Sequence, residues 1–126
     1  MAHPLLRIVA LVLFFGYAVT LVAAGAEGAL VARFAFPDDA EADLISTYRF
    51  LRALELSFGV VALVYWRRIF AERAPNVIFL SAMAAGVAAR LLGLAVDGWP
   101  GALVAGVIAW ELVGVVVIFL ATRAVR

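Results

Sequence analysis

The sequence predicts an all-α fold: an integral membrane four-helix bundle with both termini on the cytoplasmic side. Three observations carry that reading. Of the 126 residues 67% are hydrophobic, and mean hydropathy is +1.13. Soluble domains hold about 45–50% apolar residues, and one small core cannot hide the excess, so part of the solvent is lipid. The apolar residues also gather in four runs of roughly 20 residues each, the length an α-helix needs to cross about 30 Å of hydrocarbon. Finally, the runs do not alternate polar with apolar residues, as membrane strands do.

The first run spans about Leu5 to Ala24. A signal peptide is its rival reading, since Arg7 supplies a basic flank and Ala24-Gly25-Ala26 a small-x-small site. The apolar stretch from Ile8 is about twice the usual length of a signal core, which favours a retained helix. The segment Gly28–Phe36 either extends this helix or lies as a short piece in the interface. An acidic extracytoplasmic loop follows, over about residues 25–45, holding Asp38, Asp39, Glu41 and Asp43.

The second run spans about Ser46 to Trp66, within a helix expected over about 39–68. Asp38 with Glu41 three residues on has the spacing of a capping box, and acids at a helix start suit its dipole. The third run, about Asn76 to Val96, follows Ala74-Pro75, with Pro75 expected at or near the first helical position. Asp97-Gly98-Trp99-Pro100-Gly101 then turns the chain into the fourth run, about Gly101 to Thr122. The reading is a single domain over residues 1–126.

Orientation follows from the arginines. Arg7, Arg67, Arg68, Arg73, Arg123 and Arg126 flank one side, and most of the acids flank the other. The positive-inside rule then places both termini in the cytoplasm of what reads as a bacterial inner membrane. Tyr65-Trp66 and Trp99 fall at opposite expected interfaces, where aromatic belts belong.

Composition excludes several chemistries. There is no cysteine, hence no disulfide, thiol nucleophile, iron–sulfur cluster or thiolate metal site. There is no lysine, hence no Schiff base and no P-loop cation. The one histidine, His3, lies at the N-terminus and reads as a tail residue rather than a ligand. Neither HExxH nor a CxxC pair occurs, so no metal is implied, and the absence of GxGxxG and P-loop patterns leaves no nucleotide cofactor implied. A net charge of +1 gives no sign of nucleic acid. No catalytic set is legible.

Five ionisable residues interrupt the apolar runs: Arg49, Arg52, Glu55, Arg90 and Glu111. Such groups are costly in hydrocarbon, about 2.5–3.5 kcal/mol on translocon scales, and they default to a functional reading with a partner named. At about 1.5 Å per helical residue, Arg52 and Arg90 lie about 9 Å from the outer face, Tyr17 about 10 Å, Glu55 about 13 Å and Glu111 about 15 Å. Tyr48, Arg52, Glu55 and Gly59 share one helix face, with Arg49 beside it and free to snorkel. Gly86 and Gly93 flank Arg90 by one turn each, which predicts close approach of another backbone there. The expectation is an interior network in which Arg52 and Arg90 neutralise Glu55 and Glu111, with hydroxyls from Tyr17 and Tyr48. Small-residue ridges at Ala85, Ala89 and Gly93 and at Ala102 and Gly106 are expected to pack inside the bundle.

Such a network has two readings. It is a staple that sets helix register, or it is a pocket whose surplus arginine meets a lipid-like or quinone-like head group or a partner helix. A proton relay or membrane enzyme using Glu111 is the remaining alternative. The bilayer, a lipid or quinone ligand, and a membrane-protein partner or second copy are the partners so implied.

The run Tyr48-Arg49-Phe50-Leu51-Arg52-Ala53-Leu54 followed by Gly59, then Gly86-x-x-x-Arg90, Asp97-Gly98-x-Pro100 and Glu111, resembles the domain-of-unknown-function family 4345, small bacterial four-helix membrane proteins. The resemblance spans nearly the whole chain. It implies one four-helix domain with a polar set that falls on Arg52, Arg90 and Glu111. At residue 55 that family tends to have glycine, so Glu55 departs from its pattern. The family has no agreed activity, so the resemblance speaks to architecture. A looser likeness to the DoxX-like membrane proteins is one of fold alone.

Overall fold

The computed structural model describes residues 3–126. Four α-helices follow in order: α1 (Pro4–Leu30), α2 (Ala42–Ala71), α3 (Arg73–Asp97) and α4 (Ala102–Ala121). A 3-10 turn, Ala32–Ala35, lies between α1 and α2, and another, Arg123–Val125, follows α4. No strand occurs among the described residues. The all-α four-helix reading therefore holds.

Three of the helices, α1, α3 and α4, are long and apolar enough to cross a membrane. α2 is the longest, yet Asp43, Arg49, Arg52 and Glu55 in its first half make it the most polar. Many large apolar side chains face outward, among them Ile8, Val12, Ile78, Leu92 and Leu103. A water-soluble monomer rarely exposes apolar surface on that scale.

The buried residues trace helical stripes. On α1 they are Ala10, Phe14, Tyr17, Ala18, Leu21, Gly25 and Gly28, one face at three- and four-residue spacing. On α3 they are Asn76, Phe79, Leu80, Met83 and Val87, and on α4 Ile108, Glu111, Gly114 and Ile118.

The chain forms two compact units, one combining the segment up to Phe14 with Tyr65–Arg126, the other Phe15–Val64. The first is centred on Phe14, whose ring meets Phe70 edge-on at 5.3 Å and Phe79 at 4.9 Å. Gly114 lets Met83 close in, since a Cβ there would lie 3.1 Å from Met83 Cε. In the second unit α1 and α2 approach backbone to backbone. A Cβ on Gly25 would lie 2.8 Å from the Arg52 carbonyl oxygen, and one on Gly59 would lie 2.9 Å from that of Ala18.

Several helix ends differ from expectation, each for a local reason. α1 runs on to Leu30, past the expected end at Ala24, because residues 25–30 hold no proline and their two glycines, unfavourable in a free helix, pack against α2. The acidic loop is correspondingly shorter. α2 starts at Ala42 instead of Asp39, so Asp38 does not cap it. Arg33 instead donates to the backbone carbonyls of Asp38 and Ala40, which holds residues 37–41 as a turn.

α2 and α3 are separated by the single extended residue Glu72. Proline has no N–H and collides with the carbonyl four residues back. For Pro75 that carbonyl is Ala71, so α2 stops there, and Pro75 lies near the first position of α3, as expected, being its third residue. Asn76, fully buried, donates from Nδ2 to the Ile69 carbonyl at 3.0 Å, satisfying one of the orphan acceptors at the end of α2. Between α3 and α4, Gly98 has φ +93°, a conformation that glycine alone adopts at no steric cost.

The small-residue ridges do not pack inside. Ala85, Ala89, Ala102 and Gly106 are exposed, and a Cβ on Gly86 or Gly106 would meet open space. The glycines that matter for close packing are Gly25, Gly28, Gly59 and Gly114. Spacing alone does not distinguish the two sets.

Candidate functional site

The structure brings the charges that interrupt the apolar runs together as two ion pairs. Arg90 of α3 faces Glu111 of α4 in the first unit. Its Nε donates to Glu111 Oε2 at 2.7 Å and its Nη2 to Oε1 at 3.2 Å. This is a side-on, two-point pairing, the geometry in which arginine holds a carboxylate best. Glu111 continues the buried stripe of α4, three residues from both Ile108 and Gly114. The Gly98 turn brings α4 back beside α3, and the carboxylate thereby reaches the guanidinium.

The two partners differ in exposure. The Glu111 side chain is 11% accessible and that of Arg90 is 42%. Arg90 thus covers a buried acid and presents its other edge outward. Its Nη1 makes no hydrogen bond among the described residues. Arg90 lines one wall of an open groove of about 280 Å³, with Gly93, Leu94, Val104 and Ile108 around it and Asp97 and Trp99 toward the turn. Gly93 keeps this groove open: the nearest atom to a Cβ there would be Asp97 Oδ2, at 3.8 Å. No other backbone comes close, contrary to the expectation for the glycines flanking Arg90.

Arg52 and Glu55 lie one turn apart on α2, with Arg52 Nη1 2.5 Å from Glu55 Oε2. Arg52 also reaches α1, donating from Nη2 to the Ala24 carbonyl at 2.9 Å. Its aliphatic stem and Nε fill the space over Gly28. Nε is buried there without a hydrogen-bond partner, a cost the other contacts of the guanidinium offset. Tyr48, one turn earlier, lies under the guanidinium at 5.7 Å and meets Phe36 edge-on at 5.1 Å. A cavity of about 250 Å³ adjoins Arg52, with Glu27, Tyr48 and Phe34 among its walls. Tyr17 is buried on the inner stripe of α1.

Arg49 reaches across to the end of α1. It donates to the carbonyls of Ala29 and Leu30 and so caps the last turn of α1, where unpaired acceptors attract cations.

Sequence reasoning missed Gly25 and Gly28, which make room for α2 and for Arg52. It also missed Asn76 and Arg126. Arg126 donates to Asn76 Oδ1 at 3.1 Å, to Thr122 Oγ1 at 3.0 Å and to the Phe119 carbonyl at 2.7 Å. A polar residue one position after a proline, at the start of an apolar run, was the available signal for Asn76.

Fold and charges together define a class: a small four-helix protein with membrane-grade apolar helices and arginine–glutamate pairs set into them. The family described as Domain of unknown function (DUF4345) matches residues 4–122, and the chain belongs to that family. No curated protein and no solved structure matches it.

Proposed function

We propose that this protein is a multi-pass membrane binding module whose α3–α4 groove holds the polar head of a lipid-like or quinone-like molecule. One observation supports this above the others. Arg90 is anchored along one edge by Glu111 while its free Nη1 edge borders a groove with apolar walls. An anchored guanidinium keeps its geometry and can still donate to a carboxylate, phosphate or carbonyl oxygen. Leu94, Val104 and Ile108 would take the apolar body of the ligand.

In this reading all four helices cross a bacterial cytoplasmic membrane, and both termini lie inside. The six arginines at or near the ends of the apolar runs support that orientation. α2 would cross with its charges internally satisfied, Arg52 by Glu55 and Ala24, Arg49 by the end of α1. The groove would then open toward the outer side.

The test is extraction of the full chain with its surrounding membrane into polymer discs, then mass spectrometry of the small molecules that copurify. The wild type should retain a species that Arg90→Leu loses. Gly93→Leu, which fills the groove and leaves the ion pair alone, should lose it as well. Retention of that species by both variants at the wild-type level overturns the reading.

A second reading rests on the pairing itself. A two-point pair between a buried acid and an arginine is also how two helices are fixed in register, and the protein would then be an assembly subunit. Retention by both variants, with impaired folding of Arg90→Leu alone, is the outcome that supports it. A proton path through Glu111 has less support, because α4 beyond it, Val113–Ala121, holds no polar side chain.

A further inference from the structure

A second cavity lies at the other end of the first unit, remote in sequence from the α3–α4 turn. It has about 590 Å³ and is bordered by His3, Pro4 and Arg7 at the start of α1, Phe70 at the end of α2, and Ala121, Ala124 and Val125 after α4. That volume lies inside the range of about 300–1,000 Å³ typical of ligand pockets.

Its walls are of two kinds. Phe70, Ala121, Ala124 and Val125 make one side apolar. The other side carries donors. The Arg7 guanidinium makes no hydrogen bond and no ion pair among the described residues. His3 accepts the Leu5 backbone N–H at Nδ1, 3.3 Å away. A neutral imidazole that accepts at Nδ1 carries its proton on Nε2, so His3 also offers a donor. The first turn of α1 adds the positive end of a helix dipole.

The surroundings are strongly cationic. Arg67, Arg68, Arg73, Arg123 and Arg126 belong to the same helix ends, against the single acid Glu72. Glu72 is already engaged by Arg68 through two hydrogen bonds of 2.8 Å. Arg7 pairs with no carboxylate among the described residues. An unpaired guanidinium, an imidazole N–H and a helix start beside an apolar wall suit a phosphate that carries acyl chains. Basic pockets among membrane helices recognise anionic head groups in this way.

We propose that this cavity seats an anionic phospholipid, with its phosphate on Arg7 and His3 and its glycerol and upper acyl chains against Phe70, Ala121 and Val125. The site is independent of the α3–α4 groove and does not rest on the function proposed for it.

Native mass spectrometry of the full chain in detergent, titrated with phosphatidylglycerol, phosphatidylcholine or inorganic phosphate, tests the proposal. The wild type should hold one phosphatidylglycerol about tenfold more tightly than phosphatidylcholine, because both lipids offer the phosphate but the quaternary ammonium of choline is repelled by the Arg7 guanidinium. Arg7→Ala should weaken that binding roughly tenfold, and Arg7→Lys less. Arg123→Ala removes one charge from the same end without touching the cavity, and should change binding by no more than about twofold if long-range attraction is screened. Ala124→Trp, which fills the cavity while keeping every charge, should weaken binding as Arg7→Ala does. Equal losses for Arg7→Ala and Arg123→Ala, or undiminished binding by Ala124→Trp, overturn the proposal. So does inorganic phosphate that binds as tightly as phosphatidylglycerol, since the ligand would then be the free ion.

Discussion

Arg52 occupies the space that a side chain at residue 28 would need: a Cβ on Gly28 would lie 2.6 Å from Arg52 Cγ. The glycine on α1 and the arginine on α2 are therefore one fitted pair. The fit lets the guanidinium reach Ala24 and Glu55.

Gly28→Ala should accordingly destabilise the protein. In an ordinary helix interior the change would stabilise by about 0.8–1 kcal/mol. Here the new methyl group displaces Arg52, and overpacking of this kind costs about 1–3 kcal/mol. Gly106→Ala is the control, because a Cβ there meets nothing within 4 Å. Unfolding titrations in mixed micelles should show opposite signs for the two variants, and a stabilised Gly28→Ala would refute the fitted pair.

The Arg90–Glu111 pair should behave as a unit. Glu111→Leu leaves a guanidinium beside apolar side chains with no partner, and losing one side of a charged hydrogen bond costs about 1–3 kcal/mol. Arg90→Leu leaves the more deeply buried carboxylate unpaired and should cost at least as much. The double variant should recover most of the loss, because a buried pair contributes little net stability once both charges are gone. A double-mutant cycle by the same unfolding measurement reads this coupling directly; simple additivity of the two single losses would show that the pair is not coupled.

Asn76→Ala should loosen the α2–α3 junction. The Ile69 carbonyl then has no donor and Arg126 loses one acceptor. The cost of a buried unsatisfied group is about 1–3 kcal/mol. Amide exchange is the more telling measurement, with faster exchange expected at the end of α2 and the start of α3 and little change elsewhere.

Stability should fall through Glu72 as the pH drops below the usual carboxylate range. The hydrogen bonds from Arg68 hold the Glu72 carboxyl below the usual carboxylate range; desolvation opposes them, and the Arg68 charge adds to them. Arg68 is raised in turn and stays protonated throughout. A carboxyl lowered on folding contributes stability above its unfolded pKa, and that contribution fades as pH falls through the folded value. Thermal unfolding of the wild type should therefore show a decline on acidification that Glu72→Gln shows less. Both groups are solvent-exposed, so the difference should shrink in high salt.

Much of the fold was legible in the sequence. Four apolar runs became four helices, the Gly98 turn fell where Asp97-Gly98-x-Pro100 placed it, and Arg90 met Glu111. The family resemblance was also sound. The helix ends were less legible. Asp38 had a capping spacing and no capping role, because Arg33 claimed that turn.

The candidate site divides in the same way. That Arg52, Glu55, Arg90 and Glu111 need partners followed from the sequence, since unpaired charges in apolar segments are costly wherever the chain folds. Which glycines face a neighbour did not follow. Gly28 and Gly86 are both helical glycines, yet the space over one is filled by Arg52 and the other meets open space. By itself the sequence determined helix number, apolar character and the demand for charge pairing, because those depend on composition and local spacing. Only the tertiary structure decided that Arg49 caps α1, that Arg90 covers Glu111 while bordering a groove, and that Asn76 closes α2. Each of those depends on which side chains, distant along the chain, are brought within hydrogen-bonding reach.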